Sequence, residues 1–185
     1  MAHGRVCPWW LGYFLASPLR RMTLKPARLL SPYVREGMTV LEPGPGMGLF
    51  TLELARLVGP AGRVVAVDIQ PRMIQGLKRR AAKAGLGERI DIRLAQPGSL
   101  GIRDVSNADF ALAFAVVHEC PDAEKFFSEL AASLRPGATL LFVEPSSHVK
   151  RAQFEDELKA ASRAGFAAVE DPGVGRNRAA LLKLA

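Results

Sequence analysis

Glu42, Gly44, Gly46 and Gly48 stand at alternate positions of Val40-Leu41-Glu42-Pro43-Gly44-Pro45-Gly46-Met47-Gly48, an apolar run ending in an acid and then glycines. Glycines spaced this way let the backbone turn off a strand and approach a ligand to contact distance, where a Cβ would collide. Residues 49–58 then carry helical periodicity, so the loop is expected to deliver its ligand to a helix N-terminus. About twenty residues beyond Gly48, residues 63–68 read as a second buried strand that also ends in a carboxylate, at the spacing that brings an acid to ribose hydroxyls. Asp68, with Ile69 beside it, is therefore a candidate ribose contact, because a carboxylate can accept from both vicinal hydroxyls in charge-assisted bonds. Asp68 could also cap a helix opening near Pro71. Further on, His118-Glu119-Cys120 and the pair Glu144 and His148 supply imidazole, carboxylate and thiol groups that could move a proton or contact a substrate.

Strands expected at residues 39–42, 64–68, 90–94, 110–114 and 139–143 alternate with helical segments, which predicts an α/β fold with a parallel sheet wrapped on both faces. A helix is expected over about residues 151–164. Residues 165–170 and 178–184, separated by the turn-rich Asp171-Pro172-Gly173-Val174-Gly175, read as a closing hairpin.

The run Glu42-Pro43-Gly44-Pro45-Gly46-Met47-Gly48 resembles the first motif of the class I S-adenosylmethionine-dependent methyltransferases, an acid, any residue, then glycine at three alternate positions. An acid there is unwelcome near a diphosphate and useful near the ammonium and sulfonium of this donor. The resemblance extends from about Pro26 to the end of the chain. Residues 106–119 match the fourth strand and the loop that faces the acceptor, and residues 134–145 match the fifth, with Ala138 in place of the last glycine of an "LRPGG"-like turn. Within the superfamily the chain is similar to the type 11 group, which includes quinone-biosynthesis C-methyltransferases and arsenite methyltransferases. This implies a Rossmann-like, doubly wound, mostly parallel sheet with an antiparallel final strand, and S-adenosyl-L-methionine as cofactor. It also implies donor contacts from Glu42, Gly44, Gly46, Gly48, Asp68 and Ile69. Where the family closes its third strand with an aspartate for the adenine amino group, this chain has Gln96, whose carbonyl can still accept that bond. Past the fourth strand His118 is the candidate general base, Glu119 its orienting partner or a contact for a cationic acceptor, and Cys120 a neighbour of the acceptor. Glu144 and His148 lie at the carboxyl edge of the sheet, where open α/β sheets bind ligands.

At 185 residues, nearly half of them apolar, the chain has the length of one methyltransferase domain, residues 1–185. The formal charge is +7, and residues 1–35 hold Arg5, Arg20, Arg21, Lys25, Arg28 and Arg35 without an acid, beside Trp9, Trp10, Tyr13 and Tyr33. We read this segment as a lid whose Cys7 and Trp10 face a small-molecule acceptor, in preference to a nucleic-acid or membrane-surface segment. Residues 6–19 are too short to span a bilayer and interrupted by Pro8 and Gly12, so neither a membrane span nor a cleaved signal is expected, and a cytoplasmic location is. Two cysteines make no disulfide framework, and Cys7 and Cys120 read as small apolar residues more readily than as metal ligands, so no metal site is expected. A nicotinamide-dependent oxidoreductase would share the loop and Asp68 but would need a hydride-transfer signature such as Tyr-x-x-x-Lys. A non-catalytic donor-binding or RNA-binding protein would need no His118.

Overall fold

A computed structural model describes residues 24–185; Cys7 and Trp10, with the other residues before 24, lie outside the described residues. In chain order the elements are α1 (Pro26–Leu30), β1 (Thr39–Pro43), α2 (Thr51–Leu57), β2 (Arg63–Asp68), α3 (Pro71–Lys83) and β3 (Ile90–Leu94). They continue with β4 (Ala108–Phe114), α4 (Ala123–Ser133), β5 (Leu134–Glu144), α5 (Arg151–Arg163), β6 (Phe166–Glu170) and β7 (Arg178–Leu184). The seven strands form one sheet in the order β3-β2-β1-β4-β5-β7-β6. The first five are parallel, and β7 runs antiparallel to β5 and to β6. The expected hairpin is thus β6–β7, inserted so that its second strand is the one against β5.

Both faces of the central strands are buried, which is why they read as continuous apolar runs. Alternate residues point to opposite sides. Leu41, Val65, Val67, Ala111, Leu140 and Phe142 pack with Phe127 and Leu130 of α4 and Phe154 and Ala161 of α5. Val40, Val64, Ala66, Phe110, Leu112 and Leu141 pack on the other side with Leu30 of α1, Leu54 of α2 and Leu77 of α3. The sheet order reverses direction between β1 and β4, so the carboxyl ends of these strands open a crevice where an α/β sheet takes its ligand.

One expected turn is absorbed into a strand. Residues 134–138, read as a turn before the fifth strand, belong to β5 as a bulge: the pairing steps from Ala108↔Leu134 to Phe110↔Thr139, with Gly137 at φ 77°. The extra residues arch out while both ends keep pairing with β4.

Candidate active site

The glycine loop leaves β1 as its spacing demands. Gly44 N donates to Val67 O at 2.9 Å and Gly48 N to Pro45 O at 2.9 Å, and Arg80 Nη1 of α3 fixes the loop by donating to Met47 O at 2.6 Å. Gly44 has φ +70°, and a Cβ there would lie 2.6 Å from Val116 Cγ2. Gly46 has φ +55° and no atom within 4 Å of a built Cβ, because that side of the residue faces a cavity. A side chain at Gly46 would fill the cradle the loop creates. The helix that follows is shorter than its periodicity implied, starting at Thr51.

Asp68 closes the same wall from β2. Its Oδ2 accepts from Gly46 N at 3.1 Å and its Oδ1 from Gln70 N at 2.8 Å, so the carboxylate joins the glycine loop to the entry of α3. The helix-entry role weighed for Asp68 is therefore realised two residues before Gln70, the residue in the cap position, and lone pairs remain on both oxygens. Burial raises its pKa, with backbone bonds from Gln70, Gly46 and Ile69 pulling the other way. Glu42 lies beneath the loop at 3% exposure and does not line the cavity. Burial pushes its carboxyl up to about 8, the Thr51 hydroxyl lowering and the Asp68 charge adding to the rise. Glu42 Oε2 and Thr51 Oγ1 are nevertheless both buried without a partner in hydrogen-bond geometry. Ile69 and Gln96 line the cavity and Gly48 does not. Gln96 is exposed on a tight loop after β3, bridged to Ser99.

The other wall begins at the end of β4. Ala115 takes φ 56°, a left-handed conformation costly for a residue with a Cβ, and donates to Val143 O at 2.7 Å. A single helical turn, residues 117–119, then aims two backbone N–H groups at Glu144: Val117 N and His118 N donate to Oε1 at 2.8 and 3.2 Å. Glu144 Oε2 lies 2.5 Å from His118 Nδ1, so Nδ1 carries the proton and Nε2 is directed elsewhere. His118 Nε2 is 4.0 Å from Glu119 Oε1, and the His148 ring centre is 6.0 Å from that of His118. The two polar groups read separately in the sequence thus form one cluster. Burial opposes protonation of His118, but the bond to Glu144 and the charges of Glu144, Glu119 and Glu157 outweigh it, and the net pKa is raised.

Glu119 and Cys120 line the cavity; His118, Glu144 and His148 do not. The turn has about three residues per revolution, so side chains at 118 and 119 diverge by roughly 120° and only one can face the cavity. Cys120 donates from Sγ to Val116 O at 3.4 Å, and burial, with the charges of Glu144, Glu119 and Glu157, pushes its thiol up to about 12. Among the described residues no group of three or more His, Cys, Asp and Glu could hold a metal.

Sequence reasoning did not find Glu157 of α5. Buried at 6% exposure, it is raised to about 7 by burial and by the Glu144 charge, while its bond from Gln153 and the His118 charge pull it down. Nor did it find Glu129 of α4 or the aromatic pair Phe50 and Phe114, 4.5 Å apart in the cavity wall. A helix pattern states which face is apolar, but no signal in it names the loop or cavity that face meets.

Residues 41–142 match the family model described as "Methyltransferase domain", type 11. The chain belongs to that family. An arsenite methyltransferase of Halobacterium salinarum is 32% identical over 123 residues, 66% of this chain and 30% of that protein. A ubiquinone/menaquinone biosynthesis C-methyltransferase of Hahella chejuensis is 34% identical over 111 residues, 60% of this chain and 44% of that protein. The chain therefore spans less than half the length of these curated relatives. A SAM-dependent methyltransferase of Aquifex aeolicus has the same fold, with a TM-score of 0.84 at 24% identity, covering 96% of this chain and 98% of that one.

The family's cofactor is S-adenosylmethionine, and the residues present fit it. The donor carries two ribose hydroxyls, for which Asp68 keeps acceptors on the cavity wall, and cations, for which the unpartnered buried oxygen of Glu42 is suited. The cradle at Gly46 leaves room for it. No helix among the described residues is long and apolar enough to cross a membrane.

Proposed function

We propose that this chain transfers a methyl group from S-adenosylmethionine to a small-molecule acceptor held against the Glu119 and Cys120 side of the cavity. The observation that carries this reading is the joining of Gly46 and Asp68 on one wall of a cavity whose opposite wall ends in Glu119, with the His118–Glu144 pair behind it. When bound, the cofactor supplies an activated methyl on a sulfonium. The protein's part is to align and to exclude water, which can supply roughly 7 to 11 kcal/mol of such a barrier. Gly44, Gly46 and Gly48 shape the cradle, Asp68 and Ile69 hold the ribose, Gln96 meets the adenine, and Glu42 regains its charge when a cation is brought beside it. Glu119 meets the acceptor. His118, held by Glu144 in the tautomer that leaves Nε2 toward Glu119, takes up by way of Glu119 the proton the acceptor releases. Cys120 shapes the acceptor side, and the exposed His148 stands behind it beside the His118 ring.

Small-molecule acceptors are supported by the names of the relatives, one an arsenite and one a quinone-biosynthesis enzyme. The oxidoreductase and non-catalytic alternatives are not favoured by the family match. We also propose that residues 1–185 act as one domain and that its N-terminal segment is a lid carrying Cys7 and Trp10. Of residues 1–35, the part from Leu30 to Val34 packs into the core, with Tyr33 stacked 5.9 Å from Phe110, so the cover is assigned to the residues before α1. A cytoplasmic location is proposed with it, on the absence of a disulfide framework from a chain with two cysteines.

The test is calorimetric titration with S-adenosylhomocysteine, S-adenosylmethionine and NAD, followed by turnover on quinol-like and arsenite acceptors. His118→Ala is expected to lower turnover by roughly a hundredfold or more while leaving donor affinity within about threefold. Equal losses in both would remove His118 from proton transfer, and binding of NAD alone would remove the methyltransferase reading.

A further inference from the structure

Strand order lays the proposed donor site out as a line. The ends of β1 and β2 provide the glycine loop and Asp68, and the next loop along, after β3, adds Ala95, Gln96, Gly98, Ser99 and Leu100 to the cavity wall. A donor whose ribose meets Asp68 therefore has its purine at the β3 end. That loop is held from across the cavity by one carboxylate. Leu100 N donates to Glu129 Oε2 at 2.6 Å and Ser99 Oγ to the same oxygen at 3.2 Å.

Glu129 belongs to the face of α4 that lines the cavity, with Asp122, Lys125 and Phe126 at the spacing i, i+3, i+4, i+7. Its other oxygen, Oε1, is buried and has no hydrogen-bond partner. An acceptor closed off from water and left unpaired is rare and costly, and a carboxylate oxygen can be satisfied only by a donor. Along this line of ligand, the group that donates at the purine end is the exocyclic amino group of adenine.

Resting on the methyltransferase reading, we propose that Glu129 recognises the adenine amino group and so selects adenine over 6-oxo purines. One oxygen fixes the loop after β3 and the other reads the base. Strand β3 itself ends without an acid, and Gln96 at that place is exposed.

The experiment is calorimetric titration of the full chain with S-adenosylhomocysteine and with S-inosylhomocysteine, which carries a 6-oxo group in place of the amino group. Wild type is expected to bind the adenine compound roughly ten- to a hundredfold more tightly, the range for a hydrogen bond to a charged group. Glu129→Gln can keep its amide oxygen on Leu100 N and present an NH2 to the base, which opposes an amino group and donates to a 6-oxo group. It is expected to bring the two affinities within about threefold, with a melting temperature close to wild type. Asp68→Ala should weaken both ligands and keep the preference. A Glu129→Gln variant that loses affinity for both ligands equally, or keeps the wild-type preference, would overturn the assignment and leave the donor site standing. Failure of wild type to bind either compound would overturn the donor site and this inference with it.

Discussion

Glu42 and Glu144 are the same residue type at the same end of one sheet, closing β1 and β5, and both are buried, at 3% and 0% exposure. Their surroundings differ. Glu144 has both oxygens engaged, by the N–H groups of Val117 and His118 and by the His118 ring. Glu42 has an oxygen with no partner. The cause is the loop beside each. After β4 a single helical turn aims its backbone donors at Glu144, whereas the glycine loop after β1 turns its donors to Val67, Asp68 and Pro45. The acceptor side uses its buried acid to fix an imidazole, and the donor side keeps an acid in reserve for a cationic ligand.

The largest effect that could break this contrast is a pH dependence. Folded Glu42 holds its proton to about 8, against an ordinary value of 4.5. Between those values the unfolded chain releases the proton and the folded one does not, so stability is fully present below about pH 4.5 and falls as pH rises toward 8. The loss is at most about 5 kcal/mol by the pKa difference alone. Glu157, raised to about 7, adds a slope of the same sign. Urea unfolding of the ligand-free protein from about pH 5 to 8 should show stability falling, and Glu42→Gln should remove the larger part of that fall. A variant with the wild-type slope would mean that Glu42 ionises freely and that the two acids are alike.

Next in size is Glu144→Gln. The amide keeps one acceptor for the turn but removes the charge facing His118, and leaving that cluster partly paired in the interior costs about 2–4 kcal/mol. The His118 pKa, raised chiefly through Glu144 against the opposing effect of burial, should come down. Imidazole titration followed by NMR reads this directly, while S-adenosylhomocysteine affinity stays within about threefold. A His118 titration that does not move would make Glu144 a loop anchor and nothing more.

The contrast was only half legible in the sequence. The central strands could be read because burial on both faces writes an uninterrupted apolar run, and the edge strand β3 because Ile90, Ile92 and Leu94 alternate with the charged Asp91 and Arg93. Glu42, the glycines and Asp68 could be read because they fall within about 26 residues of a strand, loop, helix and strand unit whose geometry is fixed locally. His118 and Glu144 are 26 positions apart in sequence and meet only because β4 and β5 are neighbours, with Phe114 beside Val143. Adjacent residues mislead in the other direction: His118, Glu119 and Cys120 look like one group, yet the tight turn sends His118 toward Glu144 and the other two toward the cavity. Glu129 and Glu157 sit in ordinary amphipathic helices, where a charged residue on a flank reads as solvated.

The smallest effect sharpens the contrast by comparing two glycines of one loop. Gly44→Ala and Gly46→Ala each place a Cβ at positive φ, +70° and +55°, at a shared cost of about 1–2 kcal/mol. They differ in what the methyl meets. At Gly46 it enters the cavity without touching protein, so stability should fall by that amount alone while affinity for S-adenosylhomocysteine falls at least about tenfold. At Gly44 it would stand 2.6 and 2.8 Å from Cγ2 and Cβ of Val116, the residue just before the turn that holds His118. A β-branched side chain on constrained backbone cannot move aside cheaply, so Gly44→Ala should lose about 1–2 kcal/mol more than Gly46→Ala. It should also shift the His118 imidazole resonances, which Gly46→Ala leaves in place. Equal stabilities and unmoved resonances in both variants would mean that the two walls tolerate each other's displacement, and the rigid seam at Gly44 and Val116 would no longer explain how donor and acceptor sides keep their spacing.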